Sequence, residues 1–134
     1  MEHEATSAAA ALMSQHAGGV KFQPFAAAFG IGSIDDAYAV QREYVRLQML
    51  ARGTSAAGYK IGLTAKRMQE MCGIDSPIAG VVLKDRVHQS GARLSASAYG
   101  RAGLEFEIAI RLARDLAPAG NVLSTTYRCI VDAG

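Results

Sequence analysis

Apolar and polar residues alternate from Leu104 to Leu112. Leu104, Phe106, Ile108, Ile110 and Leu112 fall on one side, and Glu105, Glu107, Ala109 and Arg111 on the other. A period of two over nine residues predicts a half-buried strand, because successive side chains of an extended chain point to opposite faces. Earlier in the chain the spacing is helical. Ala37, Val40, Tyr44, Leu47 and Ala51 recur every three or four residues and predict one buried stripe on a helix. Ser33 is placed to cap that helix, Asp35 and Asp36 to complement its dipole, and Gly53 to close it. Arg42, Glu43 and Arg46 fall off the stripe. Between these two elements the segment AGYKIGL sets Tyr59, Ile61 and Leu63 against Gly58, Lys60 and Gly62, and predicts a strand from Ala57 to Leu63. Thr64 is expected to cap a short helix from Ala65 to Cys72 that stops at Gly73. Asp75 to Ile78 reads as a turn, Gly80 to Leu83 as a strand, and Val87 to Ser97 as irregular chain or a hairpin around Gly91. At the start, Ala5 to Gln15 is Ala-rich and predicts a helix ended by Gly18 and Gly19, followed by a connector from Lys21 to Gly32. Helices first and strands afterwards give an α+β class rather than regular βαβ winding.

Composition narrows the reading. With 134 residues, 50% hydrophobic and 19% charged, the chain is expected to form one compact globular domain and not a disordered segment. Its net charge of +2 is scattered, and it has no Trp. A nucleic-acid partner is therefore not expected, since such binding draws on a basic patch with stacking aromatics. No stretch approaches the ~20 apolar residues of a membrane span, and no cation precedes Lys21 to make a secretory leader. A cytoplasmic location is expected. Cys72 and Cys129 lie far apart with no Cys/His ligand spacing, which predicts two reduced thiols.

Few residues carry candidate chemistry. Side chains two apart on a strand share a face, with roots about 6.5–7 Å apart. Glu105 and Glu107 placed in that way can converge on one hard cation at ~2.0–2.4 Å and leave positions for water or substrate oxygens. A solvated strand face explains the same spacing and is the simpler reading of it. Lys60 sits between Gly58 and Gly62, whose small size lets a ligand approach. It is suited to binding a carboxylate, or to proton transfer where burial lowers its pKa; an exposed strand lysine is the alternative. His88 has no partner visible in sequence. His3 and His16 lie in an N-terminal region expected to be mobile. The glycines of GYKIGLT match no nucleotide-binding pattern.

Three blocks taken together resemble one family. IDDAYAVQREYVRLQMLARG (Ile34–Gly53), GYKIGLTAKRMQEMCGID (Gly58–Asp75) and GLEFEIAIRLARDL (Gly103–Leu116) are similar, in this order, to the 2-keto-4-pentenoate hydratase family. The first two look most like its 2-oxo-hept-4-ene-1,7-dioate hydratase branch, within the fumarylacetoacetate hydrolase superfamily. The resemblance implies a helical N-terminal part, residues 1–56, followed over residues 57–134 by the start of a mixed β-roll, an incomplete β-rich catalytic domain. It implies a hydro-lyase of aromatic-compound meta-cleavage catabolism that adds water to a small-molecule 2-hydroxy-2,4-dienoate or 2-oxo-enoate. It also implies a divalent cation, Mg²⁺ or Mn²⁺, held by Glu105, Glu107 and a third, later acid, with Lys60 as the catalytic residue beside the substrate. Relatives that share this site decarboxylate a 2-oxo diacid instead, and family members assemble into rings, so a homo-oligomer or association with a homologous subunit is expected.

The sequence departs from the family pattern in three places. Ile78 stands where many members carry an Asp in a PDFG-like segment. Arg128-Cys129-Ile130-Val131-Asp132 has Cys129 where the third metal ligand of an LE[IV]VD segment would fall. Members are also about twice as long. The chain is thus expected to be a truncated member with weak metal binding, little or no turnover and a tendency to self-associate. The alternative is a non-catalytic remnant of a broken hydratase gene.

Overall fold

The computed structural model describes residues 2–19, 21, 23–99 and 103–113. It divides the chain into two compact units, Met1–Gln89 and Ser90–Gly134. The first unit contains helix α1 (Glu2–Ala17), a 3₁₀ turn (Ala26–Phe29), helix α2 (Ile34–Arg52), strand β1 (Ala56–Gly62), helix α3 (Lys66–Cys72), strand β2 (Ile78–Leu83) and a 3₁₀ turn (Lys84–Arg86). The described residues are thus α+β.

Helix α2 begins where its chemistry dictates. Ser33 is extended, its hydroxyl accepts from the Asp36 N–H at 3.1 Å, and the Asp36 carboxylate accepts from the Ser33 N–H at 3.0 Å. This reciprocal box satisfies donors that the helix start leaves open. Gly53 ends the helix at φ +58, a left-handed turn that a Cβ would disfavour. The Ser33 hydroxyl and then the Gly32 N–H hold the Asp36 carboxyl below its ordinary range. A depressed folded-state pKa stabilises above the unfolded value of about 4 and is lost as pH falls through the folded value. Ser33→Ala is expected to cost about 1 kcal/mol at neutral pH. The loss should shrink in strong acid, which urea unfolding followed by circular dichroism at both pH values would check.

The core of the first unit lies between α1 and α2. Ala5, Ala8, Ala9 and Val40 are buried, and Leu12, Phe25, Phe29, Tyr44 and Leu47 pack around them half-buried. Small side chains on α1 let the two helices approach closely. His16 Nδ1 lies 2.5 Å from the Tyr44 hydroxyl, with the rings edge to face. The N-terminal region expected to be mobile is therefore a packed helix. The predicted stripe of α2 is also corrected. Val40, Tyr44 and Leu47 face the core, whereas Ala37 and Ala51 are exposed, because α1 and the 3₁₀ turn cover only the middle of the helix and draw in Ala39.

β1 and β2 pair antiparallel, with Tyr59 opposite Val81, Lys60 opposite Gly80, Ile61 opposite Ala79 and Gly62 opposite Ile78. A bulge interrupts the register between Ala56 and Gly58. Helix α2 braces β2 with two side chains: Ala79 N–H donates to the Tyr38 hydroxyl at 2.9 Å, and Gln41 Nε2 donates to the Ala79 carbonyl at 3.0 Å. Both backbone groups of Ala79 are thereby satisfied, as a neighbouring strand would satisfy them. The far end of α2 is tied down by Arg52, whose guanidinium forks onto Asp85 and holds that carboxyl below its usual range.

The link from β1 to α3 differs from expectation. Thr64 is not the cap; the N-cap is Ala65, with no side-chain bond. Leu63 adopts φ +53, a left-handed turn rare for a leucine, and Gln69 holds it by donating from Nε2 to the Leu63 carbonyl at 2.7 Å. That turn delays the helix to Lys66. β2 starts at Ile78, earlier than expected, because Ile78 pairs with Gly62.

In the second unit a 3₁₀ turn spans Ala96–Ala98. No hairpin forms around Gly91 among the described residues; Gly91 makes a turn at φ +83. The strand expected from Leu104 to Leu112 is corrected as well. Residues 104–110 belong to no helix, strand or turn, and Arg111 alone has bridge geometry. Leu104 is 91% and Phe106 97% exposed. Alternation makes a chain competent for a ladder, but it supplies neither a partner strand nor a cover. Among the described residues no helix is long and apolar enough to cross a membrane.

Candidate functional site

Strand β1 sets Lys60 on a floor of glycine. Gly58 and Gly62 lie two residues to either side and share its face, and Gly80 stands directly opposite on β2. A Cβ built on Gly58 or Gly80 would meet nothing within 4 Å, and one on Gly62 would meet only Ile78 Cγ1, at 3.6 Å. The lysine thus rises from bare backbone, with space on three sides for a flat ligand. Lys60 itself is exposed and engaged in an interaction, so the clearance lies around its stem. The Leu63 turn fixes the end of this strand through Gln69, which is 3% exposed. Sequence reasoning missed Gln69, since no spacing signals that a helical amide will hold a strand's exit carbonyl.

Glu105 and Glu107 lie in the second unit, exposed, and each takes part in an interaction. As a donor set they offer carboxylate oxygens two residues apart. That suits a small hard cation, since Mg²⁺ keeps several waters and is commonly bound through one or two carboxylates plus substrate oxygens. No group of three or more His, Cys, Asp or Glu residues that could hold a metal occurs among the described residues. Cys129, which stands where the third ligand would fall, and Asp132 lie outside the described residues. Cys72 is a free, exposed thiol. Ile78, at the position of the family acid, packs its side chain over Gly62. An open depression of about 650 Å³ in the first unit is lined by Ser33, Ile34, Glu70, Ile74 and Asp75 among others. None of the three sequence-predicted site residues lines it.

No family model matches the chain. Individual proteins do. It is 39% identical over 95 residues to 2-oxo-hept-4-ene-1,7-dioate hydratase of Escherichia coli, a match covering 71% of this chain and 35% of that protein. It is 37% identical over 112 residues to 2-keto-4-pentenoate hydratase 1 of Dechloromonas aromatica, covering 83% of this chain and 42% of the relative. The fold is similar to that of 4-oxalocrotonate decarboxylase from Pseudomonas putida G7, solved with magnesium and adipate. That similarity has a TM-score of 0.55 at 25% identity, covering 63% of this chain and 32% of that one. The chain thus spans well under half the length of these relatives. A match covering 83% of the 134 residues leaves about 23 outside it, so it spans positions 60, 105 and 107.

Proposed function

The chain belongs to the 2-keto-4-pentenoate hydratase family, alongside 2-oxo-hept-4-ene-1,7-dioate hydratase, and from that premise we propose that it carries part of a metal-dependent hydratase site. The substrate is a 2-hydroxy-2,4-dienoate or 2-oxo-enoate of aromatic-compound catabolism. Residues 1–56 serve as the helical region, and residues 57–134 belong to a β-rich catalytic domain of the mixed β-roll type. Glu105 and Glu107 hold Mg²⁺ or Mn²⁺. When bound, the cation supplies Lewis-acid stabilisation of the negative charge that develops on the substrate's 2-oxygen.

Lys60 does the rest that can be assigned to this chain. Its ammonium binds the substrate carboxylate, and the glycine floor leaves room for a planar conjugated acid to lie against β1. Hydration needs a proton shift that converts the dienol to the 2-oxo-3-enoate, followed by addition of water at the distal carbon. Lys60, beside the substrate, assists that shift. The clearance around Lys60 is the single observation that carries this reading. A second reading has its own support: the structural neighbour is a decarboxylase, and a 2-oxo diacid would seat its carboxylate on the same lysine.

The experiment mixes the purified chain with 2-hydroxypenta-2,4-dienoate and Mg²⁺ and follows the dienol absorbance. A slow, Mg²⁺-dependent loss that disappears in Lys60→Ala is expected. Absorbance that stays constant, or a loss indifferent to Lys60, contradicts the reading. Release of CO₂ from a 2-oxo diacid without loss of the dienol favours decarboxylation.

A further inference from the structure

Gln69 is the one buried polar residue among the described residues, and the one buried residue of α3. Its main chain belongs to the helix and its close. The N–H donates to the Ala65 carbonyl at 3.1 Å, and the carbonyl accepts from the Ile74 N–H at 3.0 Å. Its side chain serves the strand exit instead, donating from Nε2 to the Leu63 carbonyl at 2.7 Å. Only the NH₂ group of an amide can donate to a carbonyl, so this bond fixes which way the amide faces. Oε1 is then buried, and no hydrogen-bond partner reaches it among the described residues.

Two costs therefore sit together between positions 63 and 69. A buried acceptor without a partner is unfavourable, and so is a leucine at φ +53. Packing by α3 does not offset them, since the helix buries no other side chain. A glycine at 63 and an apolar residue at 69 would remove both. Strain of this kind marks places where the position of the backbone matters. Lys60 lies three residues before the turn. The glycines that flank it on its own face carry no Cβ to steady its stem, and β1 starts from a bulge between Ala56 and Gly58. The path of the strand through Lys60 thus depends on pairing with β2, whose last pair is Gly62 with Ile78, and on whatever holds Leu63.

We infer that Gln69 is a positioning residue for Lys60. By holding the Leu63 turn it fixes where β1 ends, and so where the Lys60 ammonium meets a substrate carboxylate. The inference deepens the hydratase reading and rests on it for the role of Lys60.

Two measurements on the whole chain test it, neither needing metal or turnover. Hydrogen exchange of the protected amides between Tyr59 and Gly62 reads the strand directly, with the Val40 amide in the core as reference. Titration with sorbate, a planar conjugated carboxylate, is followed at the Lys60 ¹³Cε resonance, with Lys66 and Lys84 as references. Gln69→Met keeps the length and removes the donor. It should speed exchange in β1 about tenfold relative to Val40 and weaken sorbate binding about tenfold. Adding Leu63→Gly, which adopts the turn without help, should restore both. Unchanged exchange in β1 overturns the inference. So does an equal rise at Val40, which would make Gln69 a general stabiliser, or no recovery with Leu63→Gly. Exchange that rises and recovers while sorbate leaves Lys60 unmoved in the unsubstituted chain supports the hold of Gln69 on β1, and counts against the carboxylate-binding role of Lys60 in the hydratase reading.

Discussion

Ala8→Glu is expected to pull α1 away from α2 and to unfold most of the first unit at room temperature. Ala8 is wholly buried, as is Ala9, and the packed seam beside them consists of Ala5 and Val40. The buried residues of the seam are apolar, and Ala8 and Ala9 are fully enclosed. An uncompensated buried charge costs about 3–5 kcal/mol, and added bulk in a close-packed seam adds to it. A unit of 89 residues has a total stability of roughly 4–13 kcal/mol, so the substitution removes a large share of it. Ala10, two residues on, is exposed, and Ala10→Glu should shift stability by no more than about 0.5 kcal/mol. Thermal unfolding followed by circular dichroism separates the two variants, and equal midpoints would show that α1 does not carry the core.

The second large effect concerns the metal. A divalent cation about 4 Å from a carboxylate in water gains roughly 2 kcal/mol from each, by Coulomb's law. Replacing both Glu105 and Glu107 by Gln keeps the shape and removes both charges. Affinity for a divalent cation is expected to fall by roughly a hundredfold or more. The drop should be steeper at low salt, since exposed charges are screened.

How far the sequence foretold these features depends on whether the determining partner was local. Helix α2 was legible because its cap (Ser33 with Asp36) and its stop (Gly53) lie within the element they define. Helix α1 was legible as a helix but not as the core. Alanine carries little apolar signal, and its value here comes from the close approach it permits to Val40. The delayed start of α3 depends on the Leu63 turn and on Gln69 reaching back to it, a bond between positions that no periodicity links. Two of the three glycines around Lys60 stand beside it in the sequence, but Gly80 joins them only through strand register. Glu105 and Glu107 were visible as a pair from alternation alone. The row opposite them stays exposed among the described residues because a ladder needs a partner that the pattern does not name.

The central claim is that Glu105 and Glu107 hold a divalent cation, and calorimetric titration of the whole chain with Mn²⁺ tests it most directly. Weak binding to one site is expected, lost in the variant carrying Glu105→Gln with Glu107→Gln. It should be retained in a variant of equal charge change, Glu70→Gln with Asp75→Asn, at the open depression. Binding that survives the first variant, or disappears only in the second, contradicts the account.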